Sequence, residues 1–183
     1  MTLADQVLDE LRPGLAPEVL AQLPDLSQRL VTARRIVCYG VGREGLMMKA
    51  FAMRLYHLGL DVHVPGDMTT PPVGQGDILF VSAGPGSFST VAALVGVAQG
   101  AGAAVICITA EPDGAVPQSA AAVIHLPAQT MAADQGAKRT SILPMGSLFE
   151  ALMFLFFELL VLDLRDRLGV SSEAMRSNHT NLE

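Results

Sequence analysis

The chain has no tryptophan, only two cysteines and only 16% charged residues, and each scarcity removes a class of protein. Two cysteines cannot build the disulfide framework of a small secreted scaffold or a four-thiolate zinc site. Both stand inside apolar runs, Cys38 in Arg-Ile-Val-Cys-Tyr-Gly and Cys107 in Ala-Val-Ile-Cys-Ile-Thr. Such settings bury thiols and leave them inert, because activation needs a nearby cation or a helix N-terminus. Cations are also scarce: 12 Lys and Arg stand against 18 Asp and Glu, a net charge of −6. Nucleic-acid binding rests on clustered cations that displace counterions, so nucleic acid is not an expected partner. Long hydrophobic runs are missing as well. The most apolar, Ala151 to Phe157, is bounded by Glu150 and Glu158, far short of the ~20 residues that cross a bilayer. Met1 to Leu15 carries Asp5, Asp9, Glu10 and Arg12 and lacks the basic start and apolar core of a secretory signal. A cytoplasmic location without a membrane segment is the expectation.

What is present is one core's worth of apolar residues. Half of the 183 residues are hydrophobic, enough for one domain and too few for two of ordinary size. Leucines and valines from Leu3 to Leu30 fall at mostly helical spacings broken by Pro13 and Pro24, which predicts two short helices over residues 1–33. Short apolar runs follow at Ile36 to Tyr39, Val62 to Val64, Ile78 to Ser82, Val105 to Thr109 and Val123 to Leu126. Helical stretches from Glu44 to Leu58 and from Thr90 to about Gly100 separate them, with Gly59, Gly100 and Gly102 as stops. Continuous apolar strands alternating with helices point to a parallel sheet covered on both faces. The expected fold is a three-layer α/β/α sandwich with five parallel strands in the order 2-1-3-4-5. A long polar loop runs from Pro127 to Leu143, and Pro144 is expected to open the longest helix, ending at Gly169. Residues 34–168 thus make the α/β core, and 169–183 a polar tail.

Open parallel sheets bind ligands beyond the carboxyl ends of their strands, where the strand order reverses. In the order 2-1-3-4-5 the loops after the first and third strands flank that point. The first supplies Gly40, Gly42, Arg43 and Glu44 in a Gly-x-Gly-x-x-Gly pattern closed by Gly45, and the third supplies Ser82, Gly84, Gly86, Ser87, Ser89 and Thr90. The pattern alone suggests a dinucleotide fingerprint, which also wants an acidic residue at the end of the second strand. Asp61 precedes that strand instead, and Pro65 and Gly66 follow it. A tight strand-to-helix turn accounts for the glycines equally well. No cofactor is therefore expected, and the four histidines lack metal-ligand spacing. His63 and His125 fall in strand runs, where local hydrogen bonds suffice.

Five ordered motifs carry a resemblance: Tyr39-Gly40-Val41-Gly42-Arg43; Lys49 to Gly59; Thr69-Thr70-Pro71; Pro144-Met145-Gly146-Ser147-Leu148-Phe149-Glu150; and the tail His179-Thr180-Asn181-Leu182-Glu183. From about residue 33 onward the chain resembles the 6-phospho-3-hexuloisomerase branch of the sugar isomerase (SIS) fold. The resemblance implies interconversion of 3-hexulose 6-phosphate and fructose 6-phosphate through an enediol, with no metal or organic cofactor. Glu150, on a helix that starts at the carboxyl edge of the sheet, is the candidate base. His57 and His179 are the further catalytic candidates. His57 lies at the end of its helix that points away from the site, so it reaches one only across an oligomer interface. A homodimer or homotetramer binding a small sugar or sugar phosphate is the resulting expectation. Three positions depart from the family pattern. Glu44 stands where a serine helps to hold phosphate, and Pro85 and Phe88 replace two hydroxyl residues in the third-strand loop. A carboxylate facing a phosphate dianion repels it.

Overall fold

The computed structural model describes residues 1–182; Glu183, the last residue of the tail motif, lies outside them. Five strands, β1 (Arg35–Tyr39), β2 (Val62–His63), β3 (Asp77–Ser82), β4 (Ala104–Thr109) and β5 (Ala122–His125), form one sheet in the order β2-β1-β3-β4-β5. Every pairing is parallel. This is the expected order, and the strands fall on the apolar runs of the sequence. β3 is buried along its whole length, as a strand with helices on both faces must be.

Successive side chains point to opposite faces, so each strand feeds two cores. Ile36, Cys38, Phe80, Ile106 and Ile108 join a core with helices α3 (Leu23–Thr32), α4 (Gly42–His57) and α7 (Ser147–Leu168). Val37, Leu79, Val81, Val105 and Cys107 meet α5 (Ser89–Gly100) and α6 (Ala115–Ser119) on the other face. In the first core Phe51 of α4 stacks on Phe157 of α7 at 4.2 Å between ring centroids, and Phe80 meets both rings edge-on. This aromatic triad joins α4, α7 and the middle of the sheet, and so fixes the two helices whose starts form the site.

Two expectations change. The N-terminal stretch makes three helices, α1 (Leu3–Leu11), α2 (Pro17–Leu20) and α3, with a 3-10 turn between α1 and α2. Pro17 and Pro24 sit in the first turns of α2 and α3, where a missing N–H costs nothing, so the prolines start helices rather than only ending them. The longest helix begins at Ser147, not at Pro144. Met145 has φ +54, a left-handed conformation that interrupts any helix, and Pro144 closes a turn by accepting from Ser147 N–H. The C-terminal stop is as expected, Gly169 taking φ +64. Beyond it α8 (Ser172–Ser177) is capped by Ser171, and Asn178 Nδ2 donates to the His57 carbonyl at 3.1 Å.

Candidate active site

The loop after β1 turns sharply into α4. Gly42 takes φ +56, and a Cβ on Gly45 would stand 2.5 Å from the Gly40 carbonyl oxygen. The glycine pattern thus has a local cause: strand end and helix start touch backbone to backbone. No side chain caps α4 at Val41 or α7 at Gly146, so both helices present open first-turn N–H groups. Between these two helix starts lies a cleft of about 310 Å³, walled by Val41–Glu44, Phe88, Met131, Pro144–Ser147 and Glu150.

Glu150 is in the first turn of α7, its N–H bonded to the Gly146 carbonyl. Its side chain is only 12% exposed, and Arg43 Nε donates to its Oε2 at 2.5 Å from an arm that is 70% exposed. A carboxylate is therefore held at the cleft wall by a cation that solvent can also reach. Gly146 leaves room here, since a Cβ on it would approach Met131 N at 3.3 Å and Glu150 Oε1 at 3.7 Å.

Glu44 behaves differently. Although it borders the cleft, it is only 7% exposed and folds down beneath the β3 loop. Its Oε2 accepts from Ser82 Oγ and from Gly84 N–H at 2.9 Å. Burial raises its pKa above the ordinary carboxyl value, the bonds from Ser82 and Gly84 offset part of this, and Glu150 raises it further. The carboxyl expected to face a ligand phosphate is thus buried and tied to the loop, in surroundings that disfavour its charge more than water does. Gly84 makes this possible, because a Cβ there would lie 2.6 Å from Glu44 Oε1 and 2.8 Å from the Phe149 ring.

The remaining sequence candidates divide by position. Gly42 and Arg43 line the cleft, whereas Ser82, Gly84 and Gly86 are buried behind it. Gly86, at φ +83, is pressed against Gly114 of the loop before α6, where a Cβ would come within 2.9 Å of the Gly114 Cα. Ser87, Ser89 and Thr90 are exposed around the start of α5. His57 and His179 lie together at the other end of α4, ring centroids 5.1 Å apart. Fourteen residues separate His57 from Arg43, so along the helix they stand ~20 Å apart. Within one chain the structure therefore does not bring the histidines to Glu150. His63 pairs with Asp61 at 2.7 Å, and the buried thiols of Cys38 and Cys107 are both pushed up to about 12 by desolvation.

Sequence reasoning missed the clamp on the far wall. Gln129, 5% exposed, accepts from Thr140 and Ser141 N–H at 2.8 and 2.9 Å and donates to the Met145 carbonyl at 3.1 Å. It binds both ends of the long loop and holds Met145 in its strained conformation. Glu10 of α1 supports the same segment, accepting from Ile142 N–H at 2.8 Å and from Ser141 Oγ. A glutamine in a polar loop gives no sequence signal of this kind. Ser147, which lines the cleft, was missed as well, although a hydroxyl residue inside the Pro144–Glu150 motif is a signal that could have found it. Among the described residues no group of three or more His, Cys, Asp or Glu side chains gathers as a metal set would. No helix among them is long and apolar enough to cross a membrane.

Comparison with known proteins places this geometry in a family. The SIS domain model matches residues 29–155, which contain β1 through the first turns of α7. The chain is 33% identical over 178 residues to the 3-hexulose-6-phosphate isomerase of Bacillus subtilis, covering 97% of this chain and 96% of that one. Its identity to the 3-hexulose-6-phosphate isomerase of Mycobacterium gastri is 37% over 177 residues, with 97% and 88% covered. A crystal structure from Methanococcus jannaschii, for which a function of 3-hexulose-6-phosphate isomerase is inferred, superposes with a TM-score of 0.83. It shares 28% identity, and the match covers 96% of this chain and 98% of that one. The chain belongs to the SIS domain family, on the branch that holds the 3-hexulose-6-phosphate isomerases.

Proposed function

We propose that this protein is a sugar-phosphate isomerase that interconverts 3-hexulose 6-phosphate and fructose 6-phosphate. The observation that carries the reading is Glu150: a shielded carboxylate at a helix start, paired with Arg43 and opening on a cleft of about 310 Å³. An enediol path needs one base that serves two adjacent carbons. Glu150 takes the proton from C2 as the C3 carbonyl opens to an enediolate, the proton of the C2 hydroxyl passes to the C3 oxygen, and Glu150 returns its proton to C3 as the C2 carbonyl forms. Arg43 orients the carboxylate, and its exposed guanidinium stabilises charge developing on the substrate oxygens. Gly42 and the open N–H groups of α4 and α7 face the ligand, with Ser87, Ser89 and Thr90 at the rim. No step in this path calls for a metal or organic cofactor.

His57 and His179 enter from a second subunit. Leu46, Met53 and Tyr56 of α4 and Phe154 and Leu162 of α7 are exposed apolar side chains on the two helices that frame the cleft. Covering them with another copy favours a homodimer or homotetramer. The two free, buried thiols suit a cytoplasmic setting.

A second reading, a substrate without phosphate, draws on one observation. The Gly84 N–H and Ser82 hydroxyl are taken by Glu44, and Pro85 has no N–H to give. The test for both is a substrate panel. 3-Hexulose 6-phosphate should yield fructose 6-phosphate, read by a coupled dehydrogenase assay, with little turnover of the unphosphorylated ketose. Turnover of the plain sugar alone establishes the second reading, and binding of either sugar without turnover refutes catalysis.

A further inference from the structure

The carboxyl of Glu44 sits in surroundings suited to an anionic ligand. It lies in the first turn of α4, whose N-terminus is open, and it takes both an N–H and a hydroxyl from the loop that follows β3. No cation among the described residues pairs with it; the neighbouring guanidinium of Arg43 is directed to Glu150. One edge of Glu44 borders the cleft, while its carboxyl touches Gly84 and Ser82. Shortening the side chain therefore extends the cleft onto that donor pair.

We propose that Glu44 is a specificity-determining residue that fills this donor pair with its own carboxyl group, so that the anionic end of a ligand is held farther out. This rests on the isomerase reading only in placing the substrate in the same cleft. A phosphate group then meets the exposed first turn of α5, with Ser89 and Thr90, in place of Ser82 Oγ and Gly84 N–H. The determinant is occupancy, not charge. Uncharged glutamine keeps the pair filled, because its Oε1 accepts the same two bonds, whereas serine or alanine empties it.

Isothermal titration calorimetry with inorganic phosphate and with fructose 6-phosphate separates these cases. Glu44→Ser and Glu44→Ala should bind both ligands at least tenfold tighter than the wild type, and Glu44→Gln within threefold of it. An equal gain in Glu44→Gln means that charge repulsion is the determinant and overturns the proposal. So does the absence of any gain in folded Glu44→Ser and Glu44→Ala. A parallel measurement on the wild type holds even where these variants fail to fold. On titration with phosphate the Gly84 amide resonance should stay in place while those of Ser89 and Thr90 move. Movement of the Gly84 amide with the same saturation curve refutes the proposal. Phosphate affinity is read independently of turnover. A gain in Glu44→Ser without isomerase activity in the wild type removes the enzyme reading and leaves the role of Glu44 standing.

Discussion

Replacing Gly84 with alanine puts a methyl group where the site has no space for one. The new Cβ would stand 2.6 Å from Glu44 Oε1 and 2.8 Å from two Phe149 ring carbons. Neither neighbour yields freely. Phe149 is 1% exposed in the core under α7, and Glu44 is tied to Ser82 and to Gly84's own N–H. Overpacking of this kind costs about 1–3 kcal/mol, which for a chain of this length lowers Tm by roughly 2–12 °C. Differential scanning calorimetry at pH 7 reads this directly. In a Glu44→Ser background one of the two obstacles is gone, so the Gly84→Ala penalty should shrink, with a coupling of about 0.5–3 kcal/mol as expected of residues in contact. A Gly84→Ala protein that melts within a degree of the wild type refutes the packing. The same penalty with and without the carboxyl refutes the position assigned to Glu44.

Gln129→Ala leaves the Thr140 and Ser141 N–H groups without their acceptor, the second of them buried, and should destabilise the protein by about 1–3 kcal/mol in urea. It should also lower kcat/KM, because Met145 and Gly146 lose their support; full activity at unchanged stability contradicts the clamp. Glu44→Gln tests the raised pKa through pH. A carboxyl whose folded-state pKa is raised contributes stability that is fully present below its unfolded value and is lost as pH rises through the folded value. Glutamine does not ionise, so its Tm should exceed that of the wild type at pH 8 and match it near pH 4; parallel Tm curves refute the shift. Phe154→Arg puts a charge on the exposed α4–α7 face and should reduce the mass seen by light scattering while circular dichroism stays unchanged. A mass identical to the wild type's moves the subunit interface elsewhere.

The sheet was readable because each strand is a short apolar run closed by a turn residue, and nothing distant alters that. Gly59 at φ +86 and Gly169 at φ +64 ended their helices where their position in the sequence indicated. Glu150 could be picked out as an acid about two turns into a helix expected to open at Pro144, but because the helix begins three residues later it stands in the first turn instead. That delay comes from Met145, whose left-handed backbone is held by Gln129 sixteen residues away, a tertiary cause with no local trace. Glu44 shows the same limit more sharply. Its type and place were plain, but its direction depends on the missing Cβ of a glycine forty residues on and on Ser82 beside it. The residue type was therefore legible, and its burial was not. His57 was read at the far end of its helix, but that His179 of the tail joins it there was not, and whether either reaches a cleft depends on a second subunit, which one chain's pattern does not specify.

The measurement that bears most directly on the enzyme reading is kcat for 3-hexulose 6-phosphate in Glu150→Gln against the wild type. The amide keeps the shape of the side chain and removes the proton acceptor, so kcat should fall by about 10²–10⁴-fold while Tm stays close to that of the wild type. A Glu150→Gln enzyme that turns over at near wild-type kcat would contradict the assignment of Glu150 as the base.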